Sequence, residues 1–329
     1  MLGAAPTDFI AARQFFMLAY IARRILASVP VLVVVALFVF LLLRLTPGDP
    51  AAILAGDMAT PEQLERIRES LGLNEPLASQ FLTWIGQLLS GDFGRSLISH
   101  TPVLTLIGQR LEPTLSLAIV TMLITLLLSI PMGVVAAWRH GSLTDNAVMA
   151  MSVLGFSIPV FVTGYILIQI FAIDLRLFPV QGFKSIGSGV GPFLSRIVLP
   201  AFTLATIYIA LIARMTRAAM LEVLDEDYVR TARAKGLSER VVLFRHALRN
   251  AAVPILTVVG TGFALMISGV VVTESVFNIP GLGRLTVDAI LARDYPVIQA
   301  LILLTSGIYV VINLLIDISY AFMDPRIRY

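Results

Sequence analysis

Residues 25–45 read ILASVPVLVVVALFVFLLLRL, and this stretch decides the fold class. Its apolar residues form one block rather than alternating at period 2. At about 1.5 Å rise per residue, a helix of this length matches the roughly 30 Å hydrocarbon core of a bilayer. Only helices and closed barrels satisfy the backbone inside lipid, and the block is too long for a barrel strand. A cleaved signal peptide is not indicated: the apolar run is longer than a usual signal core, a long segment precedes it, and no small-x-small site follows. The stretch is read as a retained transmembrane helix.

Working outward, five more such blocks follow, at about 114–138, 147–173, 197–215, 251–274 and 296–322. The second has Pro131 near its end, Pro159 is expected to bend the third, and Pro200 lies in the fourth. Interior prolines are tolerated in membrane helices because neighbours re-satisfy the freed carbonyls. The composition agrees. The chain of 329 residues is 57% hydrophobic and only 14% charged, against about 25% charged for a soluble domain. The fold expected is an all-α polytopic membrane protein with six transmembrane helices.

Orientation follows from lysine and arginine. With the N-terminus inside, Arg13, Arg23, Arg24, Arg139, eight residues from Arg214 to Arg249, Arg326 and Arg328 lie on the cytoplasmic side, 14 of the 24 basic residues. Both termini are therefore expected in the cytoplasm. The chain divides into an N-terminal segment (1–24), the first span (25–45), an extracytoplasmic loop (46–113) and a core of five spans (114–329). That core carries a cytoplasmic loop at 216–250. In the first loop, Thr60-Pro61-Glu62-Gln63 has the form of a capping box with proline at the first helical position. Leu64, Ile67 and Leu71 then mark one helix face. Leu77, Phe81, Trp84, Ile85 and Leu88 mark a second, ended by Gly91. Gly187, Gly189 and Gly191 suggest a flexible loop after the third span. Two rows of small residues at four-residue spacing, Gly133/Ala137/Gly141 and Gly260/Ala264/Ser268, suit close helix packing within the chain or against a partner.

Several function classes are excluded or disfavoured. There is no cysteine, so disulfide, thiolate and Cys-metal chemistry are absent. His100, His140 and His246 have no paired-ligand spacing, and no metal site is expected. No phosphate-binding GxxxxGK[ST] occurs around Lys184 or Lys235, nor any HExxH, GxSxG or GxGD set for a membrane enzyme. A secondary transporter would show inverted repeats, and none is seen. The net charge of +3 reflects membrane topology rather than nucleic-acid binding. Among charges near the spans, Asp317 is expected to pair with an arginine such as Arg214. Glu274, Arg284, Asp288 and Arg293 gather near the outer mouth, as helix-end salt bridges or as contacts to an external component. Pro280-Gly281-Leu282-Gly283 is expected to form a tight turn in a re-entrant loop between the last two spans.

The cytoplasmic stretch at 221–251 is too polar to span and too long for a connector. Asp227 opens a short helix, where an acid suits the positive end of the dipole. Ala232 and Ala234 keep that helix slim, Gly236 stands where a left-handed stop is wanted, and Ser238 can cap a second helix bearing Val241, Phe244 and Leu248. The run DYVRTARAKGLS (227–238), followed by HALRNA (246–251), resembles the "EAA" loop of ABC importer permeases. Four further stretches resemble the dipeptide, oligopeptide and nickel group of that family: LTPGDP (45–50), GDFGRS (91–96), ESVFNIPGLGR (274–284) with RDYP (293–296), and MDPRIRY (323–329). The long first loop is similar to that of the first permease in such systems.

The resemblance implies the type I ABC importer permease fold. It assigns contact with an ATPase subunit to Glu226, Asp227, Tyr228, Arg230, Thr231, Ala232, Arg233, Ala234, Lys235, Gly236, Leu237 and Ser238. The family's name-giving glutamate is missing here, so a carboxylate contact falls to Glu226 or Asp227. The resemblance also implies a second homologous permease, two ATPase subunits carrying ATP and magnesium, an extracytoplasmic binding protein and a bacterial inner-membrane location. This chain would bind no cofactor itself. Peptide is the expected cargo, with nickel, glutathione or another small solute as alternatives.

Overall fold

The computed structural model describes residues 6–45, 51–52, 60–70 and 72–323. The readings made at 46–50, Leu71 and 324–329, and on the side chains of Ile67 and Ser268, lie outside the described residues. In chain order the helices are α1 (Pro6–Leu45), α2 (Pro61–Ser70), α3 (Leu77–Leu89), α4 (Val103–Trp138), α5 (Leu143–Ser157) and α6 (Val160–Leu167). Helix α6 winds on as a π-helix over Ile168–Asp174, and a 3₁₀ turn (Ile186–Ser188) precedes α7 (Val190–Leu224). The short α8 (Asp227–Ala234) follows. Then α9 (Glu239–Val241) passes through a π-helical stretch (Val242–Ala247) into α10 (Leu248–Val276), and α11 (Leu282–Leu291) and α12 (Tyr295–Met323) complete the chain. Among the described residues there is no strand, only an isolated bridge between Arg95 and Pro102.

Five helices are long and apolar enough to cross a membrane alone, and α5 with α6 makes a sixth crossing when the two are taken together. They are longer than the apolar blocks. Helix α4 begins at Val103 instead of about 114 and runs through Pro113. Helix α7 covers 35 residues rather than the 19 or so between 197 and 215. At Pro159 the expected bend is a break of 104°. The residue before a proline is pushed out of the helical region, and Ile158 is extended (φ −93°, ψ 121°).

Helix α7 is the axis of the bundle, with α4, α5, α6 and α10 packed around it. The face that α4 turns inward reads Leu117, Thr121, Thr125, Ser129, Gly133 and Ala137, all buried and four residues apart. The small-residue row is thus real but runs up the helix from Ala137. Gly141 lies beyond it, in the turn to α5 with φ +76°. At Gly133 a Cβ would lie 2.5 Å from the Thr216 Cβ and 2.6 Å from the Ala213 carbonyl oxygen, so the two backbones are nearly in contact. Gly260 makes the same kind of room for Ile316 of α12. Both packings are within the chain.

The capping box at the start of α2 closes reciprocally: the Gln63 N–H donates to Thr60 Oγ1 (3.3 Å) and the Thr60 N–H to Gln63 Oε1 (3.0 Å). The glycine-rich stretch before α7 is not a free loop. Glu112 Oε1 accepts from Ser185 Oγ (2.6 Å) and from the Ile186 N–H (3.2 Å), tying it to α4. Asp317 pairs with Arg24 of α1 (3.1 Å), not with Arg214. The Arg214 guanidinium lies instead over the Phe156 ring, 5.4 Å from its centroid.

Because Gly133 leaves no space for a side chain, Gly133→Val should cost about 1–3 kcal/mol through overpacking of the α4–α7 seam. Denaturant unfolding of the detergent-solubilised protein measures this, and unchanged stability would contradict the seam.

Candidate functional site

Two ends of the bundle carry the residues singled out from the sequence. At one end, α8 rests on the start of the next segment through Val229 and Ala232, which are buried against Val242 with Val223 and Leu224 alongside. A larger residue at Ala232 would lift the helix off. Its C-terminus is closed by two hydrogen bonds, Gly236 N–H to the Arg233 carbonyl (2.9 Å) and Leu237 N–H to the Ala232 carbonyl (3.4 Å). That pairing is the Schellman closure, which needs a left-handed residue at its turn, and Gly236 supplies it with φ +78°. Ser238 stands at the N-cap of α9 but makes no side-chain cap bond; its carbonyl accepts the first helical bonds.

The outward side of this segment is polar with apolar side chains set in it. Asp227, with a side chain 97% exposed, and Arg230 lie 3.5 Å apart. Glu226, Thr231, Ala234, Lys235, Gly236 and Ser238 are exposed, and so are Tyr228, Leu237 and Phe244. One link ties α8 to the base of α10 and another braces it against α9. Asn250 Nδ2 donates to the Tyr228 hydroxyl (2.8 Å), and Arg233 forms a two-pronged pair with Glu239 (2.9 and 3.3 Å). The second pair is half-exposed and contributes little on its own.

A stronger anchor lies just above, and the sequence reading missed it. Asp145 at the start of α5 is 2% exposed and receives the Arg217 guanidinium from α7 at 2.5 and 2.8 Å. His140 (3.1 Å) and the Gly141 N–H (3.0 Å) complete its shell. Ser142 caps α5 by accepting from the Asp145 N–H, so Ser-x-x-Asp was the signal available in the sequence.

At the opposite end the four residues expected at an outer mouth part company. Glu274 is completely buried. Its carboxylate accepts from Thr114 Oγ1 of α4 (2.5 Å) and from the Arg284 N–H in the first turn of α11 (2.9 Å), while Thr114 Oγ1 accepts from the Leu282 N–H (2.8 Å). The first turn of a helix has N–H groups without an intrahelical acceptor, and here the acceptor belongs to the chain itself. Gly281 and Gly283 give the carboxylate its space: a Cβ on Gly281 would collide with Glu274, and one on Gly283 would lie 2.6 Å from the Val271 Cα. Arg284 and Asp288 are more exposed and only 3.9 Å apart along α11. Arg293 is exposed and ends α11 in the left-handed conformation (φ 53°).

Two stretches read separately in the sequence meet here. Buried Asp294 accepts from Ser96 Oγ (2.5 Å) and from the Leu97 N–H (3.0 Å), which pins the 91–96 turn onto the start of α12. Among the described residues no group of acidic or histidine side chains has the geometry to hold a metal ion.

This bundle has the fold of an ABC importer permease. It superposes on a chain of the MetNI methionine ABC transporter seen in inward-facing conformations, with TM-score 0.56 and 17% identity over 67% of this chain and 97% of that one. The chain belongs to the family of binding-protein-dependent transport system inner membrane components. It matches that family over residues 129–329 and the family's N-terminal component over 17–118. It is 56% identical to the "Probable peptide ABC transporter permease protein y4tP" of Sinorhizobium fredii, covering 94% of this chain and 99% of that one. It is 43% identical to the glutathione transport system permease protein GsiC of Escherichia coli K12, covering 95% and 100%. Membership makes the chain a membrane permease component and not itself an ATPase.

Removing one partner of a buried ion pair leaves the other charge uncompensated. Arg217→Ala should therefore destabilise the protein by about 3–5 kcal/mol, and adding Asp145→Asn should restore part of the loss. A double-mutant cycle of unfolding in micelles measures this, and strict additivity would show that the two do not act as a pair.

Proposed function

We propose that this chain forms half of the translocation path of an ATP-driven importer for short peptides in a bacterial inner membrane, with both termini in the cytoplasm. A second homologous permease supplies the other half. An extracytoplasmic binding protein delivers cargo, and two ATPase subunits carrying ATP and magnesium dock below. The observation that carries the reading is α8, a slim helix packed on one side and open on the other. Its exposed Tyr228, Asp227 and Arg230, with Leu237 and Phe244 nearby, have the chemistry of a docking face, aromatic and arginine-rich. Asp227 and Glu226 supply the carboxylates toward the ATPase, and Arg230, Thr231, Arg233, Ala234, Lys235 and Ser238 border the contact.

Peptide is preferred over nickel or an unrelated solute because of the relatives. One is named as a peptide permease. The other is named for glutathione, which is itself a tripeptide. The 14 basic residues assigned to the cytoplasmic side support the orientation.

Purification of the tagged chain in mild detergent, with mass spectrometry of every co-purifying chain, tests the assembly. A second permease and an ATPase are the expected companions; recovery of the chain alone under complex-preserving conditions would refute it. Proline cannot adopt the left-handed φ of Gly236 and has no N–H for the Arg233 carbonyl. Gly236→Pro should therefore abolish ATP-dependent peptide uptake while the protein still inserts in the membrane. Wild-type uptake by this variant would refute the docking role of α8.

A further inference from the structure

Three features gather around one cavity of the bundle, the one walled by Phe156, Val160 and Tyr208. The break between α5 and α6 lies half-way along α7: a Cβ on Gly155 would be 2.9 Å from the Ala210 Cβ and 3.2 Å from the Thr206 carbonyl oxygen, at the centre of Val190–Leu224. Among the described residues, the N–H groups of Val160 and Phe161 and the carbonyls of Phe156 and Ser157 have no backbone partner at this break. Irregular backbone at membrane depth is tolerated where it meets protein or water, not lipid. The break therefore does not look onto the bilayer.

Beside the break, Tyr208 of α7 is 6% exposed. Its hydroxyl makes no hydrogen bond among the described residues and is not one of the enclosed unpartnered polar atoms, so it opens onto free space. It looks into a cavity of about 260 Å³ whose other walls include Phe156, Val160, Leu204, Leu265 and Gly269. Gly269 leaves the hydroxyl accessible, since a Cβ there would lie only 3.4 Å from it.

Less than two turns along α7, Arg214 is exposed and has no carboxylate partner among the described residues. Its guanidinium lies over Phe156, a wall of the same cavity.

We propose that this cavity is a cargo subsite of the translocation path. It takes one apolar side chain of a short peptide, while the Tyr208 hydroxyl bonds to the peptide group and Arg214 draws the terminal carboxylate. The spacing suits this. Six helical residues separate Tyr208 and Arg214 by about 9 Å along the axis, which extended peptide covers in two to three residues at about 3.3–3.6 Å each. Discontinuous helices near the midplane are a recurrent way of exposing binding groups in transporters. The inference rests on the peptide reading above.

The test uses the assembled transporter with its binding protein in proteoliposomes, and radiolabelled Ala-Leu-Ala with its C-terminal amide as probes. Tyr208→Phe should raise KM for Ala-Leu-Ala about fivefold, the effect of one lost hydrogen bond. Arg214→Gln should remove the preference for the free acid over the amide, a ratio that does not depend on how much transporter is active. The chain has no native cysteine, so Leu265→Cys adds a direct reading: a charged thiol reagent should label it, and Ala-Leu-Ala should protect it. If wild type carries the peptide while both variants keep its KM and acid preference, or Leu265→Cys resists labelling, the subsite is overturned and the peptide reading stands. If wild type carries no peptide, the reading of the cargo falls and the subsite with it.

Discussion

Inside hydrocarbon a backbone N–H or C=O has no water to fall back on, and an unpaired one costs several kcal/mol. The long helices α4, α7 and α10 meet that constraint except where an interior proline (Pro113, Pro131, Pro200, Pro254) frees a single carbonyl without breaking the helix. The α5–α6 pair does not, because Pro159 cannot donate and forces Ile158 out of the helix. The arrangement of the bundle follows from where that exception is placed. The break is set against the middle of α7, where Gly155 allows direct contact with Thr206 and Ala210, and Phe156 and Val160 on either side of it border the cavity that Tyr208 lines.

The ends of the bundle are fixed by buried carboxylates, and each acid joins segments far apart in sequence. Asp145 ties α5 to α7. Glu274 ties the end of α10 to α4 and to the first turn of α11. Asp294 ties the 91–96 turn to the start of α12. A carboxyl group with two oxygens can take several donors at once. Each acid would be expensive to bury alone; each is buried with its donors in place.

Much of this was legible in the sequence. Apolar blocks gave the number of crossings, because length and continuity of hydrophobicity are local properties. The capping box at Thr60 and the stops at Gly91 and Gly236 were readable because cap chemistry is also local. Contacts at long sequence separation were less accessible. Asp317 was matched to Arg214, but α1 lies beside α12 and supplies Arg24 instead. Glu274 was grouped with Arg284, Asp288 and Arg293 by proximity in the chain, although the chain reverses at Phe277–Gly281, with Leu282 and Gly283 already in α11 and not in a turn, and the start of that helix covers the carboxyl. The small-residue row was found at Gly133 and Ala137 but not at Thr121, Thr125 and Ser129. Hydroxyl residues read as polar in a hydropathy scan, yet on a membrane helix they are small enough for close approach. Tyr208 had no local signal at all, since only the assembled bundle leaves its hydroxyl facing a cavity.

The same contacts connect the two ends of the proposed machine. Helix α8 is packed on Val242 and bonded through Tyr228 to Asn250 at the base of α10. Ala219 and Met220 of α7 share a buried cluster with Leu243, Ala247 and Ala251 of the same segment and with Val134 and Ala137 of α4. One turn further along α7, Arg217 grips Asp145 at the foot of α5; beyond it come Ala210 and Thr206 against Gly155 at the break, with Tyr208 on the side of α7 that meets Gly262 and Gly269 of α10. A displacement of α8 is therefore passed to α7, α10 and α5 through close contacts and a buried ion pair. The first interruption of regular backbone it meets on α5 is at Ile158–Pro159, where the angle between α5 and α6 can change without breaking a helical hydrogen bond. In the proposed importer these contacts are the route by which force applied at α8 reaches the segment that borders the cavity, so that energy source and cargo stay apart.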